Sequence, residues 1–253
     1  MPKARAKAAN GRAPISVRWV DVNKGDDLNP NYRSRLVARQ LKATDTSGKS
    51  YFAPAPPLEA LRTVISMAMT RTSTHRPDWD PGSETRMQIS LIDVKRAYFN
   101  AQVDPAEPET FVQLPQEDPE HDSMCGLLIK HMYGTRAAAD GWQEEYSSTI
   151  VAELGFTQGV SSPCVFHHAE RGIVLNVHGD DFTAAGSKRQ LDWFEDAMRH
   201  HYELTTQPRL GPGSEDAEEG VIFNRVIRWA EHGFEYEADP RQAEKFIKGL
   251  RPR

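Results

Sequence analysis

The chain of 253 residues has only two cysteines, Cys125 and Cys164, too few for a disulfide framework. It contains no apolar run near the ~18–20 residues of a membrane span, and no signal-type hydrophobic segment follows its basic start. A strong charge of either sign is missing as well. With 31 Lys and Arg against 36 Asp and Glu the formal net charge is −5, so no global basic field announces a nucleic-acid partner. Internal repeats are absent. A secreted disulfide scaffold, a membrane protein and a repeat array are thereby disfavoured, and the expectation is a soluble intracellular protein.

Local deficits carry more information. Residues 1–18 hold Lys3, Arg5, Lys7, Arg12 and Arg18 but no acid, whereas "DPAEPETFVQLPQEDPEHD" (104–122) holds no Lys or Arg. This asymmetry points weakly to polyanion binding at one end, and residues 1–16 are expected to be a disordered basic tail. Hydrophobic residues make up 38% and charged residues 26%, which suits a globular chain able to bury a core.

Periodicity supplies the elements. "PPLEALRTVISMAMT" carries Leu58, Leu61, Ile65 and Met69 at helical spacing behind Pro57. "MQISLIDV" (87–94) alternates and predicts a strand ending at Asp93. "DGWQEEYSSTIVAELG" predicts a helix with Asp140 and Gln143 as capping box and Gly155 as its stop. "PCVFHHAERGIVLNVHGDDFTAA" predicts three short strands with turns at 170–172 and 179–181, and "SKRQLDWFEDAMRHH" a helix capped by Ser187 and Gln190. "VIFNRVIRW" (221–229) and "FEYEA" (234–238) are strand-like, and "DPRQAEKFIKGL" closes as a helix capped by Asp239.

From residue 87 onward the order is strand, helix, strand hairpin, helix, strand. That is the βαββαβ pattern of a ferredoxin-like α+β fold, an antiparallel sheet backed by two helices. The first strand then lies beside the hairpin carrying "GDD", and Asp93 faces Asp180 and Asp181 across the sheet edge. The segment 173–186 contains no Lys or Arg to neutralise this trio. Carboxylate oxygens suit Mg²⁺ or Mn²⁺, and two such ions clamp the attacking and leaving oxygens of an in-line phosphoryl displacement. Neighbouring strand residues point to opposite faces, so both aspartates reach one metal only from a turn, which Gly179 favours. Gly and Asp are equally the residues of an ordinary hairpin turn. Cys164, His167, His168 and His178 match no strong zinc spacing.

Six ordered blocks resemble a known family. "YRSRLVARQ" (32–40), "YFAPAPPLEALRTVISMA" (51–68), "IDVKRAYFNAQV" (92–103), "HMYGTRAAADGW" (131–142), "GFTQGVSSPCVFHH" (155–168) and "VHGDDFTAAG" (177–186) are similar to the reverse transcriptase of copia-type LTR retrotransposons. The resemblance implies a fingers–palm fold, with fingers at 17–86 and 105–138, palm at 87–104 and 139–238, and the start of a thumb or connector at 239–253. It implies RNA-directed DNA polymerase activity with two Mg²⁺ or Mn²⁺ ions, a primed RNA or DNA template and dNTPs. Asp93, Asp180 and Asp181 match the catalytic aspartates, with the Val94 carbonyl as a further metal ligand.

By the same resemblance Tyr98 closes against the sugar 2′ position, or simply packs under the strand. Arg33, Arg35 and Arg39 fall in the fingers block that holds the triphosphate, with Arg35 favoured. Tyr133 and Gly134 lie under the nucleotide or form a plain turn, and His178 and Gly179 meet the primer end. Where the family has an aromatic–valine pair before the aspartates this chain has His178–Gly179, and "TRAAAD" replaces "LKQAPR". The resemblance further implies a cytoplasmic, particle-associated or nuclear location, no membrane, and as partners a second copy or other parts of a retrotransposon polyprotein. Protease, integrase and RNase H regions are missing, so the chain is expected to be one domain of a larger polyprotein or a truncated gene product. Two other readings are an inactive, nucleic-acid-binding remnant of such an element, and a ferredoxin-like metal-dependent cyclase or hydrolase. The block "YRSRLVARQ" argues against the latter.

Overall fold

The computed structural model describes residues 1–42, 49–69, 86–223, 225–230, 233–237 and 243–247. In chain order the elements begin with α1 (Lys3–Asn10), β1 (Val17–Asn23), β2 (Tyr32–Ala38), α2 (Leu58–Met69), β3 (Met87–Val94) and α3 (Ala97–Asn100). There follow β4 (Phe111–Gln113), β5 (Cys125–Leu127), α4 (Ala138–Ser148), a π-helical turn at Thr149–Glu153, β6 (Thr157–Gln158), β7 (Val165–His168), β8 (Ile173–His178) and β9 (Asp181–Ser187). The series closes with α5 (Lys188–His201), β10 (Leu204–Thr206), β11 (Glu219–Ile222), β12 (Arg225–Ala230) and β13 (Gly233–Tyr236). Residues 243–247 are helical, while Asp239, the expected cap, lies outside the described residues, as does the loop at 70–85.

The chain divides into two compact units, one of Met1–Ala53 with Arg96–Ser148 and one of Pro54–Lys95 with Thr149–Arg253. This division differs from the expected one most clearly at α2, which joins the second unit because Leu61, Val64, Ile65 and Ala68 share a core with β3, β8 and β9.

In the first unit β1 and β2 form an antiparallel pair and β4 and β5 another. Residues 1–16, expected to be disordered, are held down. The Met1 ammonium donates to the Cys125 carbonyl at 2.7 Å, the Lys3 N–H donates to the Ser123 carbonyl, and Ala6 is fully buried against Phe111 and Cys125. Charge alone suggested a solvated tail. One small residue facing inward while Arg5 and Lys7 face water is enough to seat the helix, and Gly11 ends it in the left-handed region at φ 73°.

The second unit is built on a six-stranded antiparallel sheet of order β10-β3-β9-β8-β7-β6. Strand alternation sends Ala185 toward α2 and Gly186 toward α5, where Leu191 occupies the space a Cβ at 186 would crowd. On α5 Leu191, Phe194 and Met198, spaced three and four residues apart, form the buried stripe. A separate sheet of order β11-β12-β13 adds Ile222 and Ile227 to the α2 core.

Several local expectations fail for identifiable reasons. The Ser187–Gln190 capping box does not form: Ser187 makes no side-chain cap bond, the Arg86 carbonyl accepts the Lys188 N–H, and Gln190 accepts from Arg171. Asp140 lies inside α4 rather than capping it, and its carboxylate accepts the Phe52 N–H at 3.0 Å. The segment 221–229 is two strands, because Phe223 takes a positive φ of 50° and reverses the chain. The strand that pairs with β3 at the sheet edge is β10, too short and polar to stand out by pattern.

Candidate active site

The "GDD" aspartates sit where β8 turns into β9. Gly179 and Asp180 form the two-residue loop and His178 pairs with Asp181 across it. Gly179 has φ 65°, and a Cβ there would meet nothing within 4 Å, so the turn needs glycine for its backbone conformation rather than for space.

On its other side β9 pairs with β3, and Asp181 stands directly opposite Asp93. The Val94 N–H donates to the Asp180 carbonyl at 2.9 Å, which makes 94 and 180 the hydrogen-bonded pair. Asp93 and Asp181 are therefore a non-hydrogen-bonded pair, the kind with Cα atoms only roughly 4.5 Å apart and side chains closest. Thr205 continues the row on β10. One end of the sheet thus carries a line of His178, Asp181, Asp93 and Thr205 on the face that α2 covers farther along.

Asp93 is exposed, while Asp180 and Asp181 are half-buried. Burial first, then the negative charges of Asp180 and Asp93, push the Asp181 carboxyl up to about 6. Repulsion of this kind is relieved by a proton or by a cation. Among the described residues no three His, Cys, Asp or Glu side chains group closely enough to hold a metal ion. The register aligns only two of the three aspartates, because Asp180 occupies the turn itself, so the expected trio is not a ready-made cage. The donor set is nevertheless all-carboxylate and electrostatically under-compensated at Asp181, and so fits the chemistry of a hard divalent cation. The Val94 side chain is fully buried, and His178 is exposed with its ring 4.6 Å from that of Phe223.

The remaining predicted site residues lie in the first unit. The Arg35 guanidinium stands 5.2 Å over the Tyr133 ring, which lies 4.6 Å from Tyr98 and 5.7 Å from Phe99. Tyr133 accepts the Ala38 N–H on its carbonyl, and Gly134 at φ 83° brings its backbone against the Ala38 carbonyl, where a Cβ would overlap it. The end of β2 is thereby fastened to the Tyr133–Gly134 turn. Pairing opposite Val22 and Val20 sets Arg33 and Arg35 on one face of the hairpin, together with Arg18. Arg39 lies past the strand end, with its N–H on the Ser16 carbonyl, and lines a cavity of about 1120 Å³ with Arg12 and Tyr51. Of the three arginines, Arg35 alone touches the tyrosines. Phe99 and Phe223 were not anticipated. Nor were Asn176 and Thr183, although an asparagine inside the apolar run "IVLNV" was a visible signal.

A family model described as reverse transcriptase (RNA-dependent DNA polymerase) matches residues 5–211, which include the β1–β2 hairpin, Asp93, the Tyr133–Gly134 turn and the paired aspartates. Comparison with curated proteins gives no match. Most of the chain is covered by the family match, and the chain therefore belongs to the reverse transcriptase (RNA-dependent DNA polymerase) family.

Proposed function

We propose that the protein is a copia-like reverse transcriptase domain that adds dNTPs to a primer 3′-OH by two-metal nucleotidyl transfer. The observation that carries this reading is the direct opposition of Asp93 and Asp181, with Asp180 next in the turn and the Asp181 carboxyl raised by its burial and then by their charges. The strand order β10-β3-β9-β8 supports assigning the second unit as a palm, since a split βαββαβ sheet interleaves its strands in this way. The β1–β2 hairpin in the first unit is then the fingers element.

When bound, Mg²⁺ or Mn²⁺ ions lower the pKa of the primer hydroxyl and neutralise the departing pyrophosphate. Asp93, Asp180 and Asp181 are the residues that would hold them, with the Val94 carbonyl as an additional oxygen. Arg35 supplies a charge-assisted contact to the triphosphate, and its stacking on Tyr133 pre-orients the guanidinium. Tyr98, against Tyr133, faces the sugar, and His178 and Gly179 approach the primer end. Template and primer are held by backbone and duplex shape, because a copying enzyme accepts any sequence.

Primer extension on poly(rA)/oligo(dT) with Mg²⁺ or Mn²⁺, comparing wild type with Asp180→Asn, is the test. Extension by wild type that is lost in the variant is expected. A folded wild type that binds the duplex but extends nothing would sink the proposal in favour of an inactive, nucleic-acid-binding protein.

A further inference from the structure

One step in from the carboxylate row, the same sheet face contains two polar residues that the fold does not explain. Cross-strand registers set Val165, Asn176, Thr183 and Leu91 in a line on β7, β8, β9 and β3. Each position lies two residues from the corresponding member of the outer or inner row, so all three rows share one face. The inner row is Val174, Ala185 and Ile89, apolar and packed under α2. Position by position, the middle row should be apolar too, as Val165 and Leu91 are.

Asn176 and Thr183 are instead fully buried at 0% exposure. Among the described residues neither end of the Asn176 amide nor the Thr183 hydroxyl has a hydrogen-bond partner. Leaving such groups unmet destabilises the fold by their full desolvation penalty, whereas apolar residues of the same shape would carry no such penalty. Local conflicts of this kind are expected beside functional groups. The neighbour two residues along β9 from Thr183, and diagonal to Asn176, is Asp181.

We propose that Asn176 and Thr183 are positioning residues that hold one buried water between them and orient the Asp181 carboxyl through it. The spacing favours a bridge over a direct contact. Two residues of strand separate the rows by roughly 6.5 Å, too far for a direct bond and suited to one intervening water. The water gains three partners, Asn176, Thr183 and Asp181, the usual number for a buried one. Thr183 donates or accepts as required and the asparagine offers both functions, so the pair can satisfy a water in either orientation. Substituting the partners that orient metal-binding groups commonly costs 10–100-fold in affinity or activity.

This inference rests on the carboxylate reading of the proposed function, and its test carries a readout independent of polymerisation. The full chain is compared as wild type, Asn176→Leu, Thr183→Val, Thr183→Ser and, as control, Asp181→Asn. Measurements are the metal-free melting temperature, the rise in melting temperature with Mn²⁺, and kcat and KM for dNTP. Asn176→Leu and Thr183→Val are expected to melt at or above the wild-type temperature. They should need about tenfold more Mn²⁺ for the same rise and lose about 10–100-fold in kcat, with KM nearly unchanged. Thr183→Ser should behave like wild type.

Unfolding of either apolar variant, or a lower melting temperature with Mn²⁺ response and kcat intact, overturns the proposal in favour of a packing role. Unchanged behaviour throughout, or a Thr183→Ser protein as impaired as Thr183→Val, overturns it equally. A wild type without any Mn²⁺ response removes its basis. A wild type that responds to Mn²⁺ but extends no primer counts against the polymerase assignment alone, and the Mn²⁺ arm still decides on Asn176 and Thr183.

Discussion

The carboxylate row and the arginine–tyrosine group are supported in opposite ways. Asp93 and Asp181 ride on β3 and β9, strands paired on both sides and almost wholly buried up to the row itself. Arg35 rides on a two-stranded hairpin whose residues Tyr32 through Arg35 are all exposed, and which is anchored only toward its other end, by the Tyr133–Gly134 turn and by Val17, Leu36 and Ala38 packed with Val112 and Met132. The sheet can keep two acids face to face because its register is over-determined from both neighbours. The hairpin cannot store such strain, so its group is held by attraction, a cation over a ring and a ring on a ring.

The sharpest break in this contrast is Asp181→Asn. Loss of a carboxylate from the row is expected to lower kcat more than about a thousandfold, equivalent to about 4 kcal/mol of barrier. The same change should stabilise the metal-free protein at neutral pH. The folded carboxyl titrates near 6, above its ordinary value of 3.8. Between those values the folded state binds more protons than the unfolded one, so wild-type stability falls as pH rises through this window and is level above it. The melting-temperature advantage of Asp181→Asn in chelator should therefore be full at pH 7 and vanish on acidification toward pH 4. An advantage independent of pH would mean that repulsion at Asp181 is not what the row tolerates.

Two glycines with nearly the same backbone conformation extend the comparison. Gly134→Ala meets both the left-handed penalty at φ 83° and overlap with the Ala38 carbonyl, and should destabilise by at least about 2 kcal/mol in urea unfolding. Gly179→Ala meets the penalty alone, at φ 65° in open space, and should cost about 1 kcal/mol. Equal costs would show that the Tyr133–Gly134 turn yields more readily than its contacts imply.

What could be read beforehand follows the same division of support. Strong period-two runs gave β3 within a residue and the β8–β9 hairpin within one turn position, and the order of elements implied that Asp93 meets Asp181. Weak or competing signals failed. Residues 3–10 are too charged to announce a docked helix, and β10 has three residues and no alternation of use. The Ser187 cap was legible as a pattern, but the serine makes no cap bond, and the Gln190 side chain that would complete the box accepts from Arg171 instead. Which arginine of "YRSRLVARQ" meets the tyrosines depends on pairing register and on where β2 ends, neither of which composition encodes.

The smallest effect expected is also the one that isolates the hairpin group. Arg35→Lys keeps the charge and the long stem but loses the planar guanidinium over Tyr133, an exposed contact worth about 0.5–1 kcal/mol. Stability should change by no more than that, within reach of a careful denaturant titration. If the stacked guanidinium pre-orients a triphosphate contact, KM for dNTP should rise several-fold, while kcat at saturating dNTP stays near wild type. Arg39→Lys, past the strand end with its N–H on the Ser16 carbonyl, should leave KM unchanged. A KM effect of equal size at both positions would place the relevant charge in the basic character of the segment as a whole, and remove the distinction drawn between Arg35 and its neighbours.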